Sequence, residues 1–270
     1  MLIDSHCHIN FPELADQAEL LLAQMRQNHV THALCVAVNL PELPSVLEMA
    51  ERYPNIYASV GVHPDYEDTP EPSVAQLVEL ARHPKVIAIG ETGLDYYRLQ
   101  GDLEWQRERF RTHIRAAREC GKPLIIHTRS AAEDTLRIMR EENAQQCGGV
   151  MHCFTETWEV AQARRVGHRL GAFVAQAALE LGFYISFSGI VTFKNATQIK
   201  QVAQQMPLSQ MLVETDSPYL APVPFRGKLN HPALVKHVAE HIADLRGESF
   251  ATIAEATTAN FFRLFKAAAA

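Results

Sequence analysis

Six histidine and carboxylate side chains stand where short apolar runs of this 270-residue chain come to an end. The first run finishes Asp4-Ser5-His6-Cys7-His8, and later ones finish Ile89-Gly90-Glu91, Ile126-His127, Met151-His152 and Glu214-Thr215-Asp216. Residues two apart on a strand point the same way, so His6 and His8 can reach one ion together. An isolated H-x-H is as readily a pair of partly buried histidines. Ligand-type groups recurring at the other run ends shift the balance toward metal. Four imidazoles and two carboxylates (His6, His8, His127, His152, Glu91 and Asp216) suffice for two divalent ions about 3.5–4 Å apart with one carboxylate bridging. Such ions acidify a bridging water and neutralise charge on the oxygen under attack, so hydrolysis is expected and redox chemistry is not. A shell of oxygen and imidazole without thiolate suits Mg²⁺, Mn²⁺ or Zn²⁺ alike. Cys7 and Cys153 each adjoin a ligand histidine, and strand alternation turns them the other way, into the core.

The runs that must position these groups are Leu2–Ser5, Ala33–Val38, Ile56–Val62, Val86–Gly90, Pro123–His127, Gly149–His152, Phe183–Ser188 and Met211–Glu214. Each is nearly continuous in apolar character, the mark of strands covered on both faces of a parallel sheet. The segments between them have helical spacing and helical stops; Trp105, Phe110, Ile114 and Ala117, for example, lead into Cys120-Gly121. Eight β-then-α units without a composition break predict an α/β fold, a single-domain (β/α)₈ TIM barrel over residues 1–266. An open doubly wound sheet would normally carry a Gly-rich phosphate loop after its first strand, and none is here. In a barrel the C-terminal strand ends share one rim, so all six ligand-type groups converge on one mouth. Residues 267–270 are a low-complexity tail expected to contribute nothing.

Composition narrows the class. The chain is 47% hydrophobic and 21% charged, ordinary for a globular protein. No run approaches the ~18 uncharged apolar residues of a membrane span. The N-terminus lacks a secretory pattern, and five scattered cysteines without C-x-x-C spacing argue against a disulfide framework, so a cytoplasmic location is expected. No obligate protein partner is evident. The net charge of −6 speaks against a broad nucleic-acid-binding face, although it is uneven. Residues 1–104 carry 5 Lys/Arg against 16 Asp/Glu, and residues 105–270 carry 20 against 15. Two further groups belong to the predicted rim. His63 closes the third run and can donate to a phosphoryl oxygen or be a capped loop histidine. Arg129, two beyond His127, can fork onto a phosphate or pair with a rim carboxylate such as Asp95. Lys194, Arg226 and Lys228 can meet more phosphate, or simply be solvated.

The motifs Asp4-Ser5-His6-Cys7-His8, Gly90-Glu91-Thr92-Gly93-Leu94-Asp95, Pro123-Leu124-Ile125-Ile126-His127-Thr128-Arg129, His152-Cys153-Phe154-Thr155 and Glu214-Thr215-Asp216-Ser217-Pro218-Tyr219 resemble the TatD family of metal-dependent hydrolases, as does the following Arg226-Gly227-Lys228 with Asn230. The resemblance spans nearly the whole chain. It implies an amidohydrolase-like barrel and a metal-dependent deoxyribonuclease. It also implies His6, His8 and Asp216 on one ion, His127 and His152 on the other, Glu91 bridging, Asp216 as general base, and His63 and Arg129 on substrate phosphate. Two departures stand out. Asn10 replaces an aspartate usual in the first motif. Between His152 and Phe183 the chain is about fourteen residues longer than the family pattern, and Val160-Ala161-Gln162-Ala163 recurs as Val174-Ala175-Gln176-Ala177. This apparent insertion at residues 164–177, with Arg164, Arg165, His168 and Arg169, is expected to give a longer or broken helix outside the barrel, with His168 a bystander.

The expected substrate is DNA, trimmed at single-stranded ends, since a barrel mouth admits a strand end more easily than a stiff duplex and one phosphate needs only a local clamp. The same metals would also serve a carbonyl hydrolase acting on an amide, lactone or aminoacyl ester, resembling a D-aminoacyl-tRNA deacylase. A non-catalytic, metal-dependent single-strand binding module is the third alternative.

Overall fold

All eight apolar runs become strands of one sheet, β1 to β8, hydrogen-bonded in chain order and parallel throughout. The computed structural model describes residues 1–99, 101–156 and 174–268. The strands are β1 (Leu2–Cys7), β2 (Val30–Cys35), β3 (Ile56–Val60), β4 (Val86–Asp95), β5 (Leu124–Arg129), β6 (Gly149–Met151), β7 (Tyr184–Phe187) and β8 (Met211–Val213). Around them lie α1 (Pro12–Ala15), α2 (Ala18–Gln27), α3 (Leu43–Arg52), α4 (Val74–Leu80), α5 (Glu104–Cys120), α6 (Ala132–Glu141), α7 (Val174–Glu180), α8 (Thr197–Gln205), α9 (Val235–Arg246) and α10 (Phe250–Leu264). Among the described residues, no helix is long and apolar enough to cross a membrane.

The architecture is a (β/α)₈ barrel. Its last seam is made by few bonds: Asp216 N–H donates to the His6 carbonyl at 2.9 Å and His8 N–H to the Ser217 carbonyl at 2.8 Å. Asp4 completes it, accepting from Thr215 N–H (2.8 Å) and Thr215 Oγ1 (2.6 Å) while fully buried. The closing bonds thus tie His6, His8 and Asp216 to one another through the backbone.

Two apolar layers hold the barrel. Val86, Leu124 and Met211 face the helices, against residues such as Phe110, Leu136 and Val238. Ile3, Leu34, Ile87, Ile125, Val150 and Leu212 fill the interior, where Phe261 and Phe265 join them from the end of α10 and the turn after it. Contrary to the expectation for the tail, the 3₁₀ turn Lys266–Ala268 takes part: Ala268 is buried and its carbonyl accepts from Tyr57 Oη at 2.8 Å. α5 stops where predicted, Gly121 taking the left-handed conformation (φ 67°) that a side chain disfavours.

Strand bounds depart from the sequence expectation in places that matter. β2 begins three residues early and ends before Val36. β4 continues past Gly90 to Asp95, so Glu91 lies within a strand. Both β1 and β4 are bulged. Asp4–Cys7 carries one more residue than its partner Ala33–Cys35, and Ile89–Thr92 one more than Leu124–Ile126. A bulge changes which face a side chain takes. Before the β1 bulge Ile3 faces the interior; after it His6 and His8 face the mouth, and Cys7 packs toward the helices.

Candidate metal centre

At the C-terminal mouth a cavity of about 700 Å³ is lined by His8, His63, Glu91, His127, His152 and Asp216. Glu91, only 3% exposed, lies at its floor. Glu91 Oε1 is 2.7 Å from His152 Nε2 and 3.3 Å from both His127 Nδ1 and His63 Nε2; Oε2 is 3.4 Å from His6 Nε2. Asp216 Oδ1 stands 3.7 Å from the Nε2 atoms of His6 and His8 alike. Three sets of ligand-type atoms lie mutually within 4.8 Å: His6, His8 and Asp216; His63, Glu91 and His127; and His6, His152 and Glu214. All six residues expected as ligands therefore meet, and Glu91 has one oxygen toward each side.

Outer contacts fix the rings. His8 Nδ1 bonds to the Val36 carbonyl (2.9 Å), which leaves Nε2 for the site. His127 does the reverse: Nε2 bonds to Asp95 Oδ2 (3.1 Å), and Nδ1 faces Glu91. The rings of His6 and His152 stack at 4.0 Å. One face of α5 supports this array from behind. Gln106 accepts from Asp95 N–H (2.9 Å), Arg109 donates to the His63 carbonyl (3.1 Å), and His113 Nε2 accepts from Val62 N–H (3.0 Å).

The electrostatics suit a cation. Burial alone would raise the Glu91 carboxyl, but the neighbouring His152 and His63 hold it well below the usual carboxylate range. Asp216 is likewise lowered against burial by His8 and His6. Asp95 falls to about 2, burial being overcome by the His127 bond and by the N–H groups of Tyr97 and Arg98. His152 is pushed well above its usual value, since Glu91 and Glu214 outweigh burial. These are ionised carboxylates with imidazoles drawn to them. A divalent ion fits: the donors are oxygen and imidazole nitrogen, and buried His152 Nε2, although 2.7 Å from Glu91 Oε1, makes no aligned hydrogen bond.

A family model described as TatD related DNase matches residues 3–266. The uncharacterized metal-dependent hydrolase YcfH of Escherichia coli K12 is 46% identical over 267 residues, covering 98% of this chain and 95% of that protein. The corresponding hydrolase YabD of Bacillus subtilis is 42% identical, with 98% and 99% covered. This chain belongs to the TatD family. The crystal structure of the TatD homologue YJJV from E. coli superposes with a TM-score of 0.86 at 30% identity, covering 98% of both chains. The protein is thus a metal-dependent hydrolase with a TIM-barrel fold.

Several expectations for this TatD chain need correcting. Cys153 is not a core residue: β6 ends at Met151, alternation stops with it, and Cys153 lines the cavity with Sγ 3.3 Å from Ser188 Oγ. Cys7 is core as expected, its thiol donating to the Leu34 carbonyl. Arg129 does not pair with Asp95; its guanidinium lies 3.9 Å from the centre of the Tyr97 ring. His63 stands beside Glu91, close enough to serve an ion as well as a substrate. Lys194, Arg226 and Lys228 do not line the cavity, and Arg226 packs over Phe193 at 4.4 Å. Asn10 bonds to Ser45 (3.0 Å) and Cys35 (3.2 Å), and among the described residues its side chain makes no hydrogen bond to a site histidine. Residues 164–173 of the apparent insertion, including His168, lie outside the described residues; Val174–Ala177 begin α7.

Sequence reasoning missed Glu214, fully buried and 3.5 Å from His152 Nδ1, with Oε1 accepting from Cys153 N–H at 2.5 Å. Its two-residue spacing from Asp216 was the available signal. The role of Asp95 behind His127 was also missed.

Proposed function

We propose that this protein hydrolyses phosphodiester bonds of DNA at single-stranded ends, using two divalent ions. The ligands would be His6, His8 and Asp216 for one ion, His127 and His152 for the other, and Glu91 for both. When bound, such ions supply Lewis-acid activation and charge neutralisation. Asp216, ionised beside the mouth, accepts the proton of the attacking water. Arg129 and His63 bind the phosphate and orient it.

The observation that carries this reading is Arg129. It lines the same cavity as the ligands and, among the described residues, has no carboxylate partner. A neutral carbonyl substrate gives such a cation nothing to neutralise. The cavity has the size of a small-ligand pocket, which suits a strand end and excludes duplex. The negative total charge agrees, because one terminal phosphate needs a local clamp only.

EDTA should abolish cleavage of a single-stranded oligonucleotide, and Mg²⁺, Mn²⁺ or Zn²⁺ should restore it. Arg129→Ala should keep its metals and lose most cleavage. Full activity of the stripped protein would overturn the metal mechanism. If Arg129→Ala matched wild type on DNA, the substrate would be a carbonyl compound, to be sought among lactones and aminoacyl esters.

A further inference from the structure

The β4–β5 ladder places Asp95 directly opposite Arg129. An acid and a guanidinium one rung apart would ordinarily pair. They do not, because Asp95 is already engaged. Its Oδ2 faces His127 Nε2 at 3.1 Å, and its Oδ1 accepts from Tyr97 N–H (2.9 Å) and Arg98 N–H (3.2 Å). The turn that Asp95 caps is fastened on its other side too. Tyr96 N–H donates to the Arg129 carbonyl (2.9 Å), and Tyr96 Oη donates to Asp134 (2.7 Å). The next residue, Tyr97, is thereby held with its ring over Arg129, although 63% of it is exposed.

Neighbouring arginines are used differently. Arg98 binds Asp65 at 2.7 Å and Arg107 binds Glu104 at 2.6 Å. A carboxylate neutralises a guanidinium and occupies its N–H groups. An aromatic face attracts the cation from above and leaves the in-plane N–H groups and the full charge free.

We propose that Tyr97 is a positioning residue for substrate binding, holding Arg129 in place of a carboxylate so that its charge and N–H groups remain available to an anionic substrate. The site is thereby biased toward phosphate-bearing over neutral substrates. This rests on the reading that Arg129 contacts a substrate phosphate.

Steady-state cleavage of a single-stranded oligonucleotide by the metal-loaded enzyme tests it, with Tyr97→Ala, Tyr97→Phe, Arg129→Ala and the Tyr97→Ala/Arg129→Ala double variant. Tyr97→Ala should raise KM about 2- to 5-fold, the size of an exposed cation–π contact, and change kcat less. Tyr97→Phe keeps the ring and should restore the wild-type KM. In the Arg129→Ala background, Tyr97→Ala should add nothing. An unchanged KM in Tyr97→Ala, failure of Phe to rescue, or an equal effect with and without Arg129 would each overturn the positioning role and leave the phosphate reading standing. An unchanged KM in Arg129→Ala would remove the phosphate reading and this role with it.

Discussion

Four histidine nitrogens lie within 3.4 Å of the two Glu91 oxygens, and the charge of that carboxylate holds them there. Glu91→Gln preserves shape and removes charge, so the two proposed ions should weaken together. His152→Ala should empty mainly one site. Asp95→Asn, whose side chain bonds one of the site histidines, His127, from behind, should lower metal affinity by the ~10–100-fold typical of an outer partner, and Glu91→Gln by more. Metal analysis finding two ions retained in Glu91→Gln would contradict the bridge. The six converging residues were legible because each follows an apolar run, and parallel strands bring such positions to one rim. Asp95 and Glu214 were not, because their partners His127 and His152 lie 32 and 62 residues away on other elements. Cys153 was misplaced for a local reason: strand alternation cannot be carried past the end of a strand.

α5 shows how an element can position a site without lining it. Gln106, Arg109, Phe110, His113, Ile114 and Ala117 recur on its buried face, so one stripe packs the core and grips the end of β4 at Asp95 and the loop carrying His63. The apolar part of that stripe was readable as helical spacing; the polar part, directed at particular backbone groups, was not. His113 must stay neutral to accept from Val62 N–H, since its Nδ1 already donates to the Arg109 carbonyl (2.8 Å). Burial lowers it to about 4. The unfolded chain, with an ordinary histidine near 6.5, therefore binds the extra proton first as pH falls. Stability from this group should be complete above pH ~6.5 and lost progressively toward pH ~4, by up to roughly 3 kcal/mol. His113→Gln should be less stable at pH 7 and show a shallower loss across that window. Urea midpoints measured from pH 4 to 7 decide it; parallel curves for the two proteins would exclude His113 as the source.

At the scale of the whole molecule, the eight-unit plan was legible from run spacing alone, whereas its closure was not, since Asp4 and Thr215 meet across 211 positions. The one irregular unit lies between β6 and β7. Thirty-two residues separate Met151 from Tyr184, against 19 to 28 for the other consecutive strand pairs. Residues 157–173 of that connection lie outside the described residues, but the repeat at its borders makes a clean test possible. Because Val160–Ala163 and Val174–Ala177 are identical in sequence, deleting 164–177 yields the same polypeptide as deleting 160–173. The shortened chain therefore keeps every residue type of α7, including the counterparts of buried Val174, Ala175, Ala177 and Ala178. Eighteen residues would then join β6 to β7, close to the 19 that join β5 to β6 and accommodate α6. None of the six proposed ligand residues falls in the deleted segment. The deletion should leave metal content unchanged and oligonucleotide turnover within a few-fold of the full chain. Loss of bound metal would mean that the extra fourteen residues reach the centre.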